Sequence, residues 1–250
     1  MHEEHLNKCL NYGDDVMRRT NAALLLLVLI MPMLAGCEGN PSTGGASENQ
    51  NSQPESGTQV TIQVNWTSAD TPTLEHIVVN LCPLRPNHVA SFLAHVERGK
   101  FDGTPVHRII PEMYIATGDF EHGDGTGGYA GIDGSGIGDE PNNWTVHPVQ
   151  SPSLYHAPGV LTTGTDGNSS WGSVFLMLGE RADFSLLDDN HVPFGKVADN
   201  ASLDVITQIS EFNRGAGNRP RPEVHMLTII QKTIDYDVAM NACMREAWKT

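Results

Sequence analysis

The sequence is short of positive charge. Lys and Arg together number 15, against 30 Asp and Glu, so the 250 residues carry a formal net charge of −15. Proteins that bind nucleic acid use Lys and Arg to contact phosphates, and this deficit argues against nucleic acid as a partner. The simplest interpretation of the acidity is solubility.

Cysteine is also scarce. The chain has four cysteines, and Cys9 and Cys37 lie in or at the N-terminal targeting segment. That leaves Cys82 and Cys243, too few for a disulfide framework. They could pair, but nothing local supports a bridge across so long a stretch of chain, and we expect none.

The apolar run near the N-terminus is too short for a comfortable transmembrane helix. It extends from Ala22 to Met33 and is interrupted only by Pro32, whereas a spanning helix needs roughly 20 apolar residues. Arg18 and Arg19 precede it. A basic segment followed by a short apolar segment predicts a secretory signal peptide.

The residues after this run, Leu34-Ala35-Gly36-Cys37, resemble the lipobox of bacterial lipoproteins. In that family the cysteine is lipidated and becomes the first mature residue, so that acyl chains replace a spanning helix as the anchor. The resemblance implies an exported protein, anchored by lipid at Cys37 to a bacterial membrane and facing the periplasm or the cell exterior. The alternative is an ordinary signal peptide with a chance cysteine.

The composition then divides the chain into segments. Residues 1–36 are the predicted signal peptide, although Met17 is a candidate for the true start. Residues 37–58 contain Gly, Ser, Asn, Pro and Glu with almost nothing to bury, which predicts a disordered tether behind the lipidated cysteine. Residues 59–232 form the predicted globular domain, and residues 233–250 form a C-terminal tail with some helical character.

The domain is predicted to be rich in turns and strands. Gly and Pro number 25 and 15 in the whole chain, which favours a β protein over a helical one. Val60–Trp66 alternates apolar and polar residues, Glu75–Leu81 is a second β-rich run, and the polar segment between them suggests a hairpin. Further short strands are predicted at Pro105–Ile110, Met113–Thr117, Val160–Thr163, Val174–Leu178, Phe194–Val197 and Val224–Lys232.

Two helices are predicted among these strands. The first has Asn87 as its N-cap and Gly99 at its end. His88 and His95 lie off its apolar face; they could share a face as metal ligands, but we interpret them as solvated surface residues. The second helix covers Ser202–Ser210. The apolar face of the first is formed by Val89, Phe92, Leu93 and Val96, and the whole pattern indicates a small barrel or sandwich.

One long motif carries a family resemblance. Phe101–Pro111 reads FDGTPVHRIIP and runs on to Thr117-Gly-Asp-Phe120, which resembles the central signature of the cyclophilins. Further matches to the family follow in its order, and the resemblance covers roughly Val60 to Lys232. These matches are Gly123–Gly128, Asp139–Glu140, Pro158–Leu161, Gly172–Leu176 and Leu187–Val197.

The resemblance implies a mainly β fold: a closed eight-stranded antiparallel barrel capped by two α-helices, with a substrate groove on its outer wall. It also implies a peptidyl-prolyl cis-trans isomerase that acts on X-Pro bonds of envelope or secreted proteins. Rotation about such a bond is slow because its barrier is about 20 kcal/mol. Since no bond is broken, no cofactor and no metal are required. Proline-containing polypeptides are the implied partners, and we expect a monomer.

Arg108 aligns with the family's catalytic arginine. A hydrogen-bond donor directed at the prolyl nitrogen stabilises the twisted amide, in which the nitrogen lone pair is localised. Arginine suits this role because it is always protonated. The resemblance assigns substrate binding to Met113, Tyr114, Ala116, Gly164, Thr165, Val174, Leu176, Leu187 and His191.

Several of these positions depart from the family pattern. Ala116 and Val174 replace two glutamines, Leu176 replaces a pocket phenylalanine, and Gly164-Thr165 replaces an Ala-Asn pair. In the family, the amides of the two glutamines position the substrate and the arginine. Without them, reduced or retargeted activity is expected. The alternative is a cyclophilin-fold module that binds peptides or proteins with little turnover.

Other classes of function have weaker support. The glycine-rich stretch 122–139 could hold a metal or phosphate with oxygens of Asp124, Asp133 and Asp139, but its spacing is not that of an EF-hand and no GK[ST] follows. A loop rich in turns explains the glycines without a ligand. Ser135 lies in no G-x-S-x-G, which argues against a serine hydrolase. A purely structural role in the envelope stays open.

Overall fold

The computed structural model describes residues 56–132, 145–146, 155–165, 172–181, 183–188, 190–241 and 243. The predicted signal peptide, Cys37, most of the tether, Asp133 and the Asp139–Glu140 motif therefore lie outside the described residues. No helix within the described ranges combines the length and the apolar character that a membrane crossing requires.

The described ranges contain ten strands and three α-helices. The strands are β1 (Ser56–Ser68), β2 (Thr71–Leu81), β3 (Arg108–Ile110), β4 (Tyr114–Thr117), β5 (Val160–Gly164), β6 (Phe175–Leu178), β7 (His191–Val197), β8 (Asn213–Arg214), β9 (Pro220–Arg221) and β10 (His225–Asp235). The helices are α1 (Pro86–Glu97), α2 (Asn200–Ser210) and α3 (Tyr236–Asn241).

Eight of the strands form one antiparallel sheet in the order β10-β1-β2-β7-β5-β6-β4-β3. The two edges of this sheet are joined by the segment before β3. The Val106 N–H donates to Val224 O at 2.8 Å, and the Met226 N–H donates to Thr104 O at 2.9 Å. These bonds bring the edges together as a barrel requires, and the prediction of a mainly β, eight-stranded antiparallel fold is confirmed.

The predicted hairpin at the start of the domain is β1 and β2. Along β1, Val60, Ile62, Val64 and Trp66 are buried while the residues between them are more exposed, so the alternating pattern marks the face that packs into the core. The strand also includes Ser56–Thr58, which the composition assigns to the tether. These residues pair with the C-terminal end of β10.

The core combines the sheet with both longer helices. Phe92 of α1 packs against Phe101, Phe175 and Phe194, with ring centroids 5.3, 5.5 and 5.7 Å apart. Helix α2 begins after Asp199, whose carboxylate accepts from the Ser202 N–H at 2.8 Å. Capping of this kind satisfies an N–H that has no partner inside the helix.

The prediction of solvated histidines on α1 is wrong. His88 and His95 are 4% and 0% exposed, and the loop that contains Tyr129 and Gly131 covers His95. A ring nitrogen of His95 lies 2.7 Å from Tyr129 O, and the Gly131 N–H donates to the Ser91 hydroxyl at 2.8 Å.

The predicted N-cap of α1 is also wrong. The helix begins at Pro86 after Arg85, with no side-chain cap, since proline has the required φ and no N–H to satisfy. The predicted end is correct: Gly99 follows the helix with φ +61°, a conformation that glycine adopts without steric cost.

The expectation of no disulfide is wrong. Cys82 and Cys243 are bonded across 161 residues, with their Cα atoms 5.3 Å apart. The C-terminal tail returns to the sheet, where α3 packs on β1 with Ala239 fully buried against Gly57. Sequence separation does not report this approach, because it depends on where the tail docks.

Candidate active site

A groove of about 510 Å³ lies beside the β3–β4 hairpin. Among the described residues, it is lined by most of the predicted site: Arg108, Met113, Tyr114, Ala116, Val174, Leu176, Leu187 and His191. His107, Ile110, Asp124, Gly125 and Leu186 line it as well. The structure therefore brings together residues that are far apart in the sequence.

Gly164 and Thr165 do not line this groove. Gly164 pairs with His191 at the end of β5, and the Thr165 N–H donates to Asn190 O at 2.8 Å. Their backbones pair at the start of β7, where the groove residue His191 lies. Their contact with substrate stays a prediction.

The hairpin places the arginine. Arg108 lies opposite Ala116, and Ile110 lies opposite Tyr114. Because side chains alternate along a strand, all four residues point to the same face. Arg108 is exposed, and among the described residues no carboxylate is within ion-pair distance of it. Its guanidinium is therefore available to a ligand in the groove.

Next to the arginine is an apolar pocket. Met113, Leu176 and Leu187 are 8%, 7% and 3% exposed and belong to one packed cluster. Phe184 is buried in the same cluster, at a position that no sequence motif identified. The pocket is apolar, as the ring of a proline requires.

The turn between β3 and β4 is held by α2. Glu112 has φ +58°, a left-handed conformation that is costly for a residue with a side chain. Its N–H donates to the Ser210 hydroxyl at 3.2 Å and to a carboxylate oxygen of Glu211 at 2.9 Å. These bonds hold the turn that orients Arg108 and Met113, and the sequence carries no signal for them.

The glycine loop at the rim is organised by one buried carboxylate. Asp119 is fully buried and accepts backbone N–H bonds, among them those from Gly125 at 2.8 Å and His122 at 2.9 Å. Burial alone would raise the pKa of Asp119, but these donors outweigh it and hold the pKa well below its usual value. The loop thereby places Asp124 and Gly125 at the groove.

This loop also contains Asp124, one of the three aspartates of the metal site that the sequence offered as an alternative; the other two lie outside the described residues. Asp119, His122 and Asp124 lie close enough to share a cation. Both oxygens of Asp119, however, already accept backbone N–H bonds from the loop. The cluster is thus explained as a loop anchor.

The titrating groups of the groove are mostly neutral. Burial lowers the pKa of His191 to about 4. Burial raises the pKa of Tyr114, against the opposing effect of Arg108. At neutral pH, these shifts leave His191 and Tyr114 without charge.

The comparisons with known proteins agree with this geometry. A family model described as cyclophilin type peptidyl-prolyl cis-trans isomerase/CLD matches residues 63–231. The chain belongs to this family. The match covers every strand of the cyclophilin sheet at least in part, together with α1 and α2.

Two curated relatives share the cyclophilin region. A putative bifunctional phosphatase/peptidyl-prolyl cis-trans isomerase of Streptococcus pyogenes is 30% identical over 169 residues, which is 58% of this chain and 34% of the relative. Peptidyl-prolyl cis-trans isomerase 11 of Caenorhabditis elegans is 33% identical over 129 residues, 49% of this chain and 63% of the relative. The chain thus spans less than two thirds of either relative.

Solved structures share the fold. A crystal structure of a cyclophilin type peptidyl-prolyl cis-trans isomerase of Cryptosporidium parvum has a TM-score of 0.56 and 20% identity, covering 70% of this chain and 98% of the other. A second structure of that protein, in the presence of the dipeptide Ala-Pro, has a TM-score of 0.53 and 23% identity, covering 69% and 97%.

Proposed function

We propose that this cyclophilin domain accelerates cis-trans isomerisation of X-Pro bonds in polypeptides. The observation that carries the proposal is the position of Arg108, exposed in the groove beside the apolar pocket of Met113, Leu176 and Leu187. A proline ring in that pocket would place its nitrogen near the guanidinium. The Ala-Pro dipeptide named for the Cryptosporidium relative is consistent with a proline-sized ligand.

Two features of the groove would lower the barrier. The pocket holds the proline ring while the rest of the amide rotates. The Arg108 guanidinium donates to the prolyl nitrogen only when the lone pair is localised there, so it stabilises the twisted state more than either planar isomer. No proton is transferred, which fits a group that never loses its proton.

The test compares the chain from residue 38 onward with Arg108→Ala, in a chromogenic assay of cis-to-trans conversion of an Ala-Pro tetrapeptide. We expect kcat/KM to fall about 100-fold or more, as when a transition-state donor is removed. Arg214→Ala is the matched control, because Arg214 is exposed and does not line the groove. Equal activity of wild type and Arg108→Ala would refute the role of the arginine.

A second candidate is a binding module with little turnover. Ala116 and Val174 are 3% and 6% exposed at positions where the family has glutamines, so neither position offers an amide to the substrate. An Ala-Pro peptide that binds in an NMR titration without any accelerated isomerisation in the wild type would favour this module over the enzyme.

We also propose that the protein is exported and anchored by lipid at Cys37, where its clients are envelope or secreted polypeptides. Two observations support the proposal: the lipobox-like order of residues 18–37 and the Cys82–Cys243 bond. Disulfides persist outside the reducing cytoplasm. Incorporation of a labelled fatty acid into the wild type but not into Cys37→Ala would support the anchor, and equal labelling would exclude it.

A further inference from the structure

A buried histidine, His156, contacts the segment that contributes Leu187 and His191 to the groove. His156 precedes β5, and its side chain is 1% exposed. Its Nδ1 lies 2.6 Å from Asp188 Oδ1, and its backbone N–H donates to the same oxygen at 3.1 Å. Its Nε2 lies 2.8 Å from the hydroxyl of Thr162, a buried residue of β5.

The donor and acceptor roles follow from the partners. A carboxylate only accepts, so Nδ1 carries the proton that Asp188 receives as a hydrogen bond. Burial lowers the pKa of His156 despite the opposing effect of Asp188, which favours a neutral ring whose Nε2 accepts from the Thr162 hydroxyl. Both ring nitrogens are thus used, and the ring has one orientation.

Asp188 lies between two groove residues. It follows Leu187 at the end of a 3-10 turn, where its N–H donates to Ser185 O at 3.1 Å. The Asn190 N–H donates to Leu187 O at 3.1 Å, and His191 then begins β7. An anchor on Asp188 therefore restrains Leu187 directly, and His191 through the hydrogen bond between Asn190 and Leu187.

The same imidazole also contacts the groove histidine. The rings of His156 and His191 meet edge to face, with centroids 6.2 Å apart and planes at 89°. His156 itself does not line the groove. Any effect on substrate must therefore pass through its neighbours: Asp188, His191, or Thr162, which pairs with the groove residue Leu176.

We propose that His156 is a positioning residue, which through Asp188 fixes Leu187 and His191 and so sets the affinity of the groove for proline-containing segments. This inference rests on the proposed function, because it concerns binding at the same groove. Arg108 lies on a different strand, β3, so the isomerisation step on bound substrate is expected to be little affected.

The kinetic test uses His156→Phe, which keeps a ring but removes both hydrogen bonds, and Asp188→Ala, which removes the acceptor. We expect KM, and the Kd of an Ala-Pro peptide, to rise about 5–20-fold, with kcat changed less than about 2-fold. The double variant should resemble either single variant, because the two residues act as one unit. Additive effects, or a fall in kcat at constant KM, would overturn the proposal.

Two further variants separate positioning from general damage. His156→Asn keeps an N–H donor near the place of Nδ1, and we expect it to restore Kd to within about 3-fold of wild type. His76→Phe makes the same change at an exposed histidine outside the groove and should leave Kd unchanged. If His156→Phe does not fold, His156→Asn and Asp188→Ala carry the test, because Asp188 is 33% exposed.

A measurement that needs no substrate tests the positioning role of His156 separately from the proposed isomerase activity. Amide hydrogen exchange of Asn190 reports whether its bond to Leu187 O stays closed. We expect that exchange to quicken at least about 10-fold in Asp188→Ala and not in His76→Phe. Unchanged protection of Asn190 would overturn the positioning role even if the wild type is active, whereas an inactive wild type with quickened exchange in Asp188→Ala would count against the proposed function alone.

Discussion

Arg108 and Ala116 face each other directly across the β3–β4 hairpin, and both line the groove. Ala116 has no side-chain polar atom, so the guanidinium has no amide partner at the position where the family pattern has a glutamine. Ala116 in turn lies opposite Leu176 on β6. The arginine is thus bordered on this side by an apolar surface.

Restoring the amide should raise activity. We expect Ala116→Gln to increase kcat/KM about 3–10-fold, because one orienting hydrogen bond contributes roughly 0.5–1.5 kcal/mol. The groove of about 510 Å³ leaves room for the longer side chain. Ala116→Met, of similar length without the amide, is the matched control in the tetrapeptide assay. If kcat/KM rises as much in the methionine variant as in the glutamine variant, the increase comes from packing and not from an amide hydrogen bond.

The Cys82–Cys243 bond should contribute strongly to stability. Closing so long a loop restricts the unfolded chain, and losing such a bond costs roughly 2–5 kcal/mol. We expect the double variant Cys82→Ala/Cys243→Ala to show that loss in urea unfolding, and the reduced wild type to behave like it. An unchanged urea midpoint would mean that α3 stays docked on β1 by packing alone.

Among the carboxylates of the glycine loop, Asp119 should contribute most to the free energy of unfolding. In Asp119→Asn one acceptor oxygen becomes an amide donor facing backbone N–H groups, which we expect to cost about 1–3 kcal/mol at pH 7. Because the folded pKa of Asp119 lies below the usual value, its contribution is complete above the unfolded pKa of about 4. It is lost as the pH falls towards the folded value.

Urea unfolding at pH 7 and pH 3 checks this prediction. The difference between wild type and Asp119→Asn should shrink at the lower pH. Asp124→Asn is the control, because Asp124 is exposed and its carboxylate accepts, among the described residues, from Thr126 two positions along the chain. A difference that stays constant with pH would indicate a steric effect of the amide.

Acid should destabilise the domain through buried histidines. Burial, with the nearby charge of Arg85, lowers the pKa of His88 to about 4, while the unfolded value is about 6.5. Above that value both states are neutral and His88 contributes no pH dependence. As the pH falls from about 6.5 to 4 the unfolded state binds the proton first, so stability decreases.

Calorimetry across this range tests the histidine contribution. We expect Tm to fall between pH 6.5 and pH 4 in the wild type and to fall less steeply in His88→Gln, which cannot take up a proton. The contribution of His88 would be refuted by parallel curves for the two proteins.

The elements with strong local patterns were predictable. Alternation marked β1, the apolar face and Gly99 marked α1, and the Arg108 motif located the β3–β4 hairpin. Each of these signals is contained within a few neighbouring residues. Local propensity and motif chemistry are enough to identify them.

The contacts that cross the fold were not predictable in the same way. His95 is buried by the loop at Tyr129, which lies beyond β3 and β4 in the chain, and Cys243 reaches Cys82 only because α3 docks on β1. Phe184 joins the pocket from a segment without a motif. Such contacts depend on where distant segments pack, which no local pattern records.

The family, the β-rich fold and the identity of most groove residues follow from the sequence, because the motif and the alternation are local properties of the chain. Which residues support that groove depends on the packing of distant segments. Three hydrogen-bonded contacts lie at the groove: α2 holds Glu112, Asp119 holds the glycine loop, and His156 bonds to Asp188. Several of these bonds join distant segments, and each depends on directions and distances of a few ångströms that are set when the whole barrel packs.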